Sequence, residues 1–219
     1  MTIPSRIKGL ILDYGEVLCR KPHEAQIARM AEVFGICADR FAALYEESRR
    51  AYDLGDLTPE RYWFSFADVP GAGLRADQIP LLRAWDVEMW SDTRPEMLEW
   101  LQAANEFGFR TALLSNMPVD MIGHVRSQFA WFKYFNCAVF SQEVHLAKPQ
   151  AAIYEYCLRE LGSPASETVF IDDREVNVRA ALELGLIAIR FESVSQLRGE
   201  LERIGFPILP VRNELTASR

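Results

Sequence analysis

The chain reads as an α/β protein: a doubly wound parallel sheet interrupted by an inserted α-helical cap. Three observations predict this. From residue 93 onward, short apolar runs alternate with single helical stretches, the pattern of parallel strands joined by crossover helices. Between residues 22 and 90 only helical periodicity is visible. One further apolar run, Gly9-Leu10-Ile11-Leu12, stands alone ahead of that helical block. The block is therefore read as an insertion, which makes the core discontinuous: residues 1–18 and 93–219, with a cap over 19–92.

The run at residues 9–12 is apolar at every position, which suits a strand buried on both faces. Asp13-Tyr14-Gly15-Glu16-Val17 follows at once, and a carboxylate there has no packing role. In the helical block, Ile27, Met30, Ala31 and Phe34 share one face, with Gly35 as the stop. Phe41, Leu44, Tyr45, Ser48 and Tyr52 mark a second helix. Thr58-Pro59 has the order of an N-cap followed by a first-turn proline. The helix it opens carries Tyr62, Trp63 and Phe66, expected in the cap's own core; whether a face of this group lines the pocket is left open by the sequence. Ile79, Leu82 and Trp85 suggest a fourth helix.

Beyond residue 92, Thr93 and Glu96 have capping-box spacing for a helix ending at Phe107, with Gly108 behind it. Strands are expected at 109–114 and 136–140, the second followed by a loop carrying Lys148. A helix over 150–161 stops at Gly162, and a strand at 168–171 delivers Asp172 and Asp173. A helix over 176–184 ends at Gly185, and a strand follows at 186–191. Ser193 and Gln196 repeat the capping-box spacing for a last helix ending near Gly205. In such sheets ligands bind beyond the carboxyl ends of the strands. Asp13, Ser115, Asn116, Lys148, Asp172 and Asp173 all fall there.

Composition narrows the function classes. Of 219 residues, 49% are hydrophobic and 25% charged, ordinary for a globular chain. A net charge of −7 without a basic stripe disfavours nucleic acid and anionic membranes as partners. Cys19, Cys37, Cys137 and Cys157 show no metal-ligand or paired spacing, as expected for free thiols in a reducing cytoplasm. No stretch has the length and apolarity of a membrane span.

An acid, a hydroxyl, an ammonium and two more acids at strand ends describe a metal-assisted phosphoryl-transfer site. A phosphate dianion and the Asp13 carboxylate repel by roughly 4 kcal/mol per unit charge pair at contact, for an effective dielectric near 20. Cations must offset this. Mg2+ takes hard oxygen ligands, and Asp13, one carboxylate of the Asp172–Asp173 pair and a backbone carbonyl near Gly15 could supply three. Lys148 adds a compact charge for phosphate, and Ser115 and Asn116 can donate hydrogen bonds to phosphoryl oxygens. Asp13 is then the candidate nucleophile, acting through an aspartyl-phosphate.

Four segments together resemble the motifs of the haloacid dehalogenase-like hydrolase superfamily: Leu10 to Val17 around Asp13, Leu113-Leu114-Ser115-Asn116, Lys148-Pro149, and Phe170-Ile171-Asp172-Asp173 with Asn177 behind. The nearest likeness is to sugar-phosphate phosphatases and the N-terminal domains of soluble epoxide hydrolases. The resemblance implies a cap that closes over the site and a metal-binding acid at Asp173, with Asp172 beside it. It also implies a second aspartate at position 15 as general acid and base, where this chain has Gly15. Glu16 is the nearest carboxylate, but one step along an extended segment would point it the other way. The expected function is a Mg2+-dependent phosphohydrolase of a small phosphorylated metabolite. The alternatives are a 2-haloacid dehalogenase-type hydrolase or a weakly active phosphometabolite-binding protein. His23, Arg20 and Lys21 are expected near the cap entrance, and His124 and His145 at the surface.

Overall fold

The structure is a computed structural model that describes residues 7–209. Chain order is simple. β1 (Gly9–Leu12) leads into four helices, α1 (Glu24–Phe34), α2 (Ala38–Asp53), α3 (Pro59–Ser65) and α4 (Ile79–Met89). The chain then returns through α5 (Pro95–Phe107) to β2 (Arg110–Ser115), α6 (Val119–Gln128) and β3 (Cys137–Phe140). The short α7 (Ser141–Val144) and then α8 (Ala151–Leu161) precede β4 (Thr168–Asp172), α9 (Glu175–Glu183), β5 (Ile187–Arg190) and α10 (Val194–Arg203).

All five strands are parallel, in the order β3-β2-β1-β4-β5. The chain winds outward from β1 through β2 to β3, then crosses to β4 on the other side. Such a reversal opens a crevice beyond the strand ends. Leu12 stands opposite both Leu113 and Ile171, so the next residue, Asp13, comes level with Asp172. Alternate strand residues face opposite sides. Leu10, Leu12, Leu113 and Ile171 join a cluster with α5, α6 and α10. Ile11, Leu114 and Phe170 join one with α8 and α9. Burial on both faces explains why these strands read as unbroken apolar runs.

The inserted helices have a core of their own, built from Met30, Phe34, Phe41, Tyr62, Trp63 and Phe66 among others. Tyr62, Trp63 and Phe66 are buried there, and none of the three lines the cavity at the strand ends. The two linkers between insertion and sheet run side by side. Cys19 bridges Thr93, Arg20 N–H donates to the Asp92 carbonyl at 2.7 Å, and Arg94 N–H donates to Leu18 at 2.8 Å. Arg20 also pairs with Asp92 at 2.9 Å, so it ties the two linkers together.

Several expected boundaries moved. Thr93 does not cap α5: its backbone belongs to the linker bridge, Arg94 is the N-cap, and Pro95 opens the helix. Thr58 and Ser193 do cap, accepting from the N–H groups of Arg61 and Gln196. α6 and α7 lie where the sequence suggests no element: α7 is only four residues long, and in α6 the buried face of Met121, Ile122 and Val125 is short beside an exposed side carrying Gly123, Arg126 and Ser127. His124 is half-buried against Phe129, 3.2 Å from the Ser91 hydroxyl. His145 is exposed, and so is His23, at the N-cap of α1. Among the described residues, no helix is long and apolar enough to cross a membrane.

Candidate active site

Lys148 is the organising residue. Its Nζ lies 2.8 Å from Asp13 Oδ1 and 2.6 Å from Asp172 Oδ2, and it is 3% exposed. Register sets the two carboxylates side by side at the ends of β1 and β4, and the β3–β4 connection brings the ammonium between them. Burial opposes the charge on Lys148, but the two carboxylates outweigh it and hold its pKa above the ordinary lysine value.

The acids are not equivalent. Asp172 is saturated: Oδ1 accepts from Arg174 N–H and Asn177 Nδ2, each at 2.9 Å, and Oδ2 accepts from Lys148 and, at 3.1 Å, from Asn177. Asp13 Oδ1 accepts from its neighbour Tyr14 N–H at 2.7 Å as well as from Lys148. Its Oδ2 has no hydrogen-bond partner among the described residues. Asp173 is half-buried and faces the cavity. Burial pushes Asp13 up to about 7; Lys148 opposes the rise, while Asp172 and Asp173 add to it. Asp173 is pushed up to about 6 by burial first, then by the Asp172 and Glu16 charges.

One oxygen from each of Asp13, Asp172 and Asp173 falls within 4.8 Å of the others. Hard carboxylate donors this close, with one ammonium against three acids, fit a small divalent cation. Ser115 ends β2 and lines the same cavity. Asn116 is largely committed elsewhere: its Oδ1 accepts from Lys148 N–H at 2.9 Å and its Nδ2 donates to the Lys148 carbonyl at 3.0 Å. Its side chain therefore bolts the β2 loop to the Lys148 loop.

The loop after Asp13 departs from the extended course expected. Val17 N–H donates to the Gly15 carbonyl at 2.6 Å, and Glu16 between them has φ 54°. This is a three-residue turn of the strained kind. The Gly15 carbonyl is engaged by that turn, and any ion there would share it. The kink also cancels the alternation that would have aimed Glu16 away, and Glu16 lines the cavity. Gly15 itself has room: a Cβ there would lie 3.9 Å from the Trp90 ring.

The cavity encloses about 610 Å³ between sheet and insertion. Its far wall comes from α2 and the end of α4, with Tyr45, Arg49, Arg50, Asp53 and Trp90. Behind it, Arg49 pairs with Asp53 and Asp86, each at 2.8 Å. Tyr45 donates to Asp86 at 2.5 Å and accepts from Trp90 Nε1 at 2.9 Å. Trp90 also takes the Tyr14 hydroxyl on its carbonyl at 2.5 Å, which connects the nucleophile loop to the insertion. Sequence reasoning missed this wall. Its one signal was the dense charge of α2 amid aromatic residues. Arg174, expected nowhere, reaches Glu46 across the cavity at 3.4 Å.

With this geometry in place, the similarities to known proteins become interpretable. The model of the family described as haloacid dehalogenase-like hydrolase matches residues 7–185, and the chain belongs to that family. Bifunctional epoxide hydrolase 2 of Mus musculus is 30% identical over 129 residues, 55% of this chain and 23% of that protein. Drimenol cyclase drtB of Aspergillus calidoustus is 31% identical over 198 residues, 90% of this chain and 36% of that protein. The matched regions thus cover only about a quarter to a third of these curated relatives. A HAD family enzyme of Bacteroides thetaiotaomicron, solved in complex with magnesium and inorganic phosphate, is 25% identical with a TM-score of 0.69. The match covers 87% of this chain and 98% of that one.

Proposed function

We propose that the chain is a magnesium-dependent phosphohydrolase of small phosphorylated metabolites, sugar phosphates among them, working through an aspartyl-phosphate on Asp13. One observation carries this reading. Lys148 bridges Asp13 and Asp172 while Asp13, whose Oδ2 has no donor among the described residues, and Asp173 both line the cavity. Asp13 and Asp173 would hold the ion, with Asp172 fixing Lys148 behind them. When bound, Mg2+ supplies positive charge that offsets the repulsion between carboxylate and phosphate.

The chain's own groups do the rest. Asp13 Oδ2 attacks phosphorus as the bond to the leaving oxygen breaks. An ammonium has three donors; two of Lys148's go to carboxylates, and the third is available to a phosphoryl oxygen. Ser115 lies where its hydroxyl can donate to another. Asn177, donating to Asp172, keeps Lys148 aimed. The wall from α2 and Trp90 limits the leaving group to what fits the cavity and keeps bulk water from the phosphoenzyme. A match to a solved magnesium and phosphate complex over 98% of that chain supports the same reading.

The test is phosphate release across a panel of sugar, glycol and aryl phosphates, with and without Mg2+. Turnover should require Mg2+ and should vanish in Asp13→Asn. Halide release from 2-haloacids after exhaustive chelation would instead establish dehalogenase-type hydrolysis, which needs no leaving-group proton and so tolerates Gly15.

A further inference from the structure

The phosphohydrolase reading leaves the carboxylate next to the nucleophile loop without a task and one chemical need without a group. The need is proton transfer, since Gly15 has no side chain. The carboxylate is Glu16. It follows Gly15 directly, it lines the cavity, and no Lys or Arg of the described residues lies within ion-pairing distance of it. Its backbone is held at φ 54° by the Val17–Gly15 hydrogen bond. A left-handed conformation at a residue other than glycine is strained, and such strain concentrates where a side chain must be aimed.

We propose that Glu16 supplies the carboxylate that position 15 lacks, holding the water that hydrolyses the phosphoenzyme on Asp13 and taking its proton. This rests on the phosphohydrolase reading. In the step, the water oxygen bonds to phosphorus and the bond between phosphorus and Asp13 Oδ2 breaks. One water proton passes to Glu16 and from there to solvent. Asp13 is regenerated as a carboxylate and inorganic phosphate leaves.

The other cavity acids are less suited. Asp173 belongs to the cation cluster. Asp53 is held by Arg49 at 2.8 Å, and Glu46 by Arg174 at 3.4 Å. Glu47 is exposed at the outer edge of α2, where it also borders a second, open cavity.

Rapid mixing of Mg2+-loaded enzyme with p-nitrophenyl phosphate separates the steps. The Glu16→Gln variant should form phosphoenzyme as fast as the unaltered enzyme, releasing nitrophenol in a burst equal to the enzyme present. Hydrolysis of the phosphoenzyme should then fall by about 10²–10⁴-fold, the worth of a general base. Formate should restore turnover to Glu16→Ala, and Mg2+ affinity measured by calorimetry should weaken by less than about tenfold in Glu16→Gln, as loss of one nearby charge without loss of a ligand requires. Unchanged hydrolysis in the variant overturns the proposal. So does a slowed burst, or Mg2+ affinity weakened by about tenfold or more, which would place Glu16 in the shell around the ion. An unaltered enzyme that never forms phosphoenzyme overturns this role and the phosphohydrolase reading together; one that does, with an unaffected variant, overturns only the role of Glu16.

Discussion

Two buried charge clusters face each other across the cavity, and each holds more acids than bases. In the insertion, Arg49 serves Asp53 and Asp86. At the strand ends, Lys148 serves Asp13 and Asp172 with Asp173 alongside. The insertion handles its surplus internally. Arg49's planar guanidinium reaches both acids, and Tyr45 donates to Asp86. The strand-end cluster does not. Its oxygens gather within 4.8 Å of one another, and Asp13 Oδ2 has no donor among the described residues. Buried charge alone therefore does not mark a site. A carboxylate oxygen left without a donor, on a residue that lines a cavity, does.

Removing each central cation should break the comparison most visibly. Lys148→Met and Arg49→Met both strand buried carboxylates and should each cost about 3–5 kcal/mol near neutral pH. Added Mg2+ should recover much of the loss in Lys148→Met, because Asp13 and Asp173 still accept it, and none in Arg49→Met. Thermal melts with and without Mg2+ measure this. Equal recovery in the two variants would mean that the clusters do not differ as described.

Proton linkage gives the next effect. Asp13 has its folded pKa raised from the ordinary 3.8 to about 7. A raised carboxyl stabilises the fold only while protonated, so its contribution falls as pH rises from about 4 to about 7 and stays low above that. Without Mg2+, Asp13→Asn should therefore be more stable than the unaltered chain at pH near 8, by on the order of 2–4 kcal/mol, and lose that advantage near pH 4. With Mg2+ at the higher pH the order should narrow or reverse. Melting temperatures of both proteins across that range decide it; a stability difference independent of pH would count against Asp13 being raised by its burial, with Asp172 and Asp173 adding to the rise.

The contrast also shows what was legible in the sequence. Lys148, in the loop between α7 and α8, was legible through the Lys148-Pro149 pair ahead of a helix. Asp13, Ser115, Asp172 and Asp173 could be found because each ends or follows an apolar run, and parallel strands deliver their ends to one place. The sheet and the inserted block were legible for the same reason. The far wall was not. Tyr45, Arg49 and Asp86 meet through side chains that reach between α2 and α4, for which no strand register exists to bring them together. The capping spacing at Thr93 misled because the linker bridge claims that backbone. Glu16 was misplaced because alternation holds only in extended chain, and the turn at Gly15–Val17 depends on a single hydrogen bond.

That turn yields the smallest effect. Two described residues other than glycine have positive φ, Glu16 at 54° and His145 at 52°. His145 ends α7, where a left-handed residue closes a helix; Glu16 ends nothing. Glycine removes the Cβ conflict at either position, worth about 1 kcal/mol. Some of that gain is lost to the greater freedom of an unfolded glycine. At His145 the contact of Nδ1 with the Leu54 carbonyl, 3.1 Å away, is also lost. Glu16→Gly should therefore raise stability by about 0.5 kcal/mol, and His145→Gly by less. Only the first should reduce phosphate release, because only it removes a carboxylate from the cavity. If Glu16→Gly stabilises the chain without slowing turnover, the strained turn serves the fold of the loop and not the chemistry beside it.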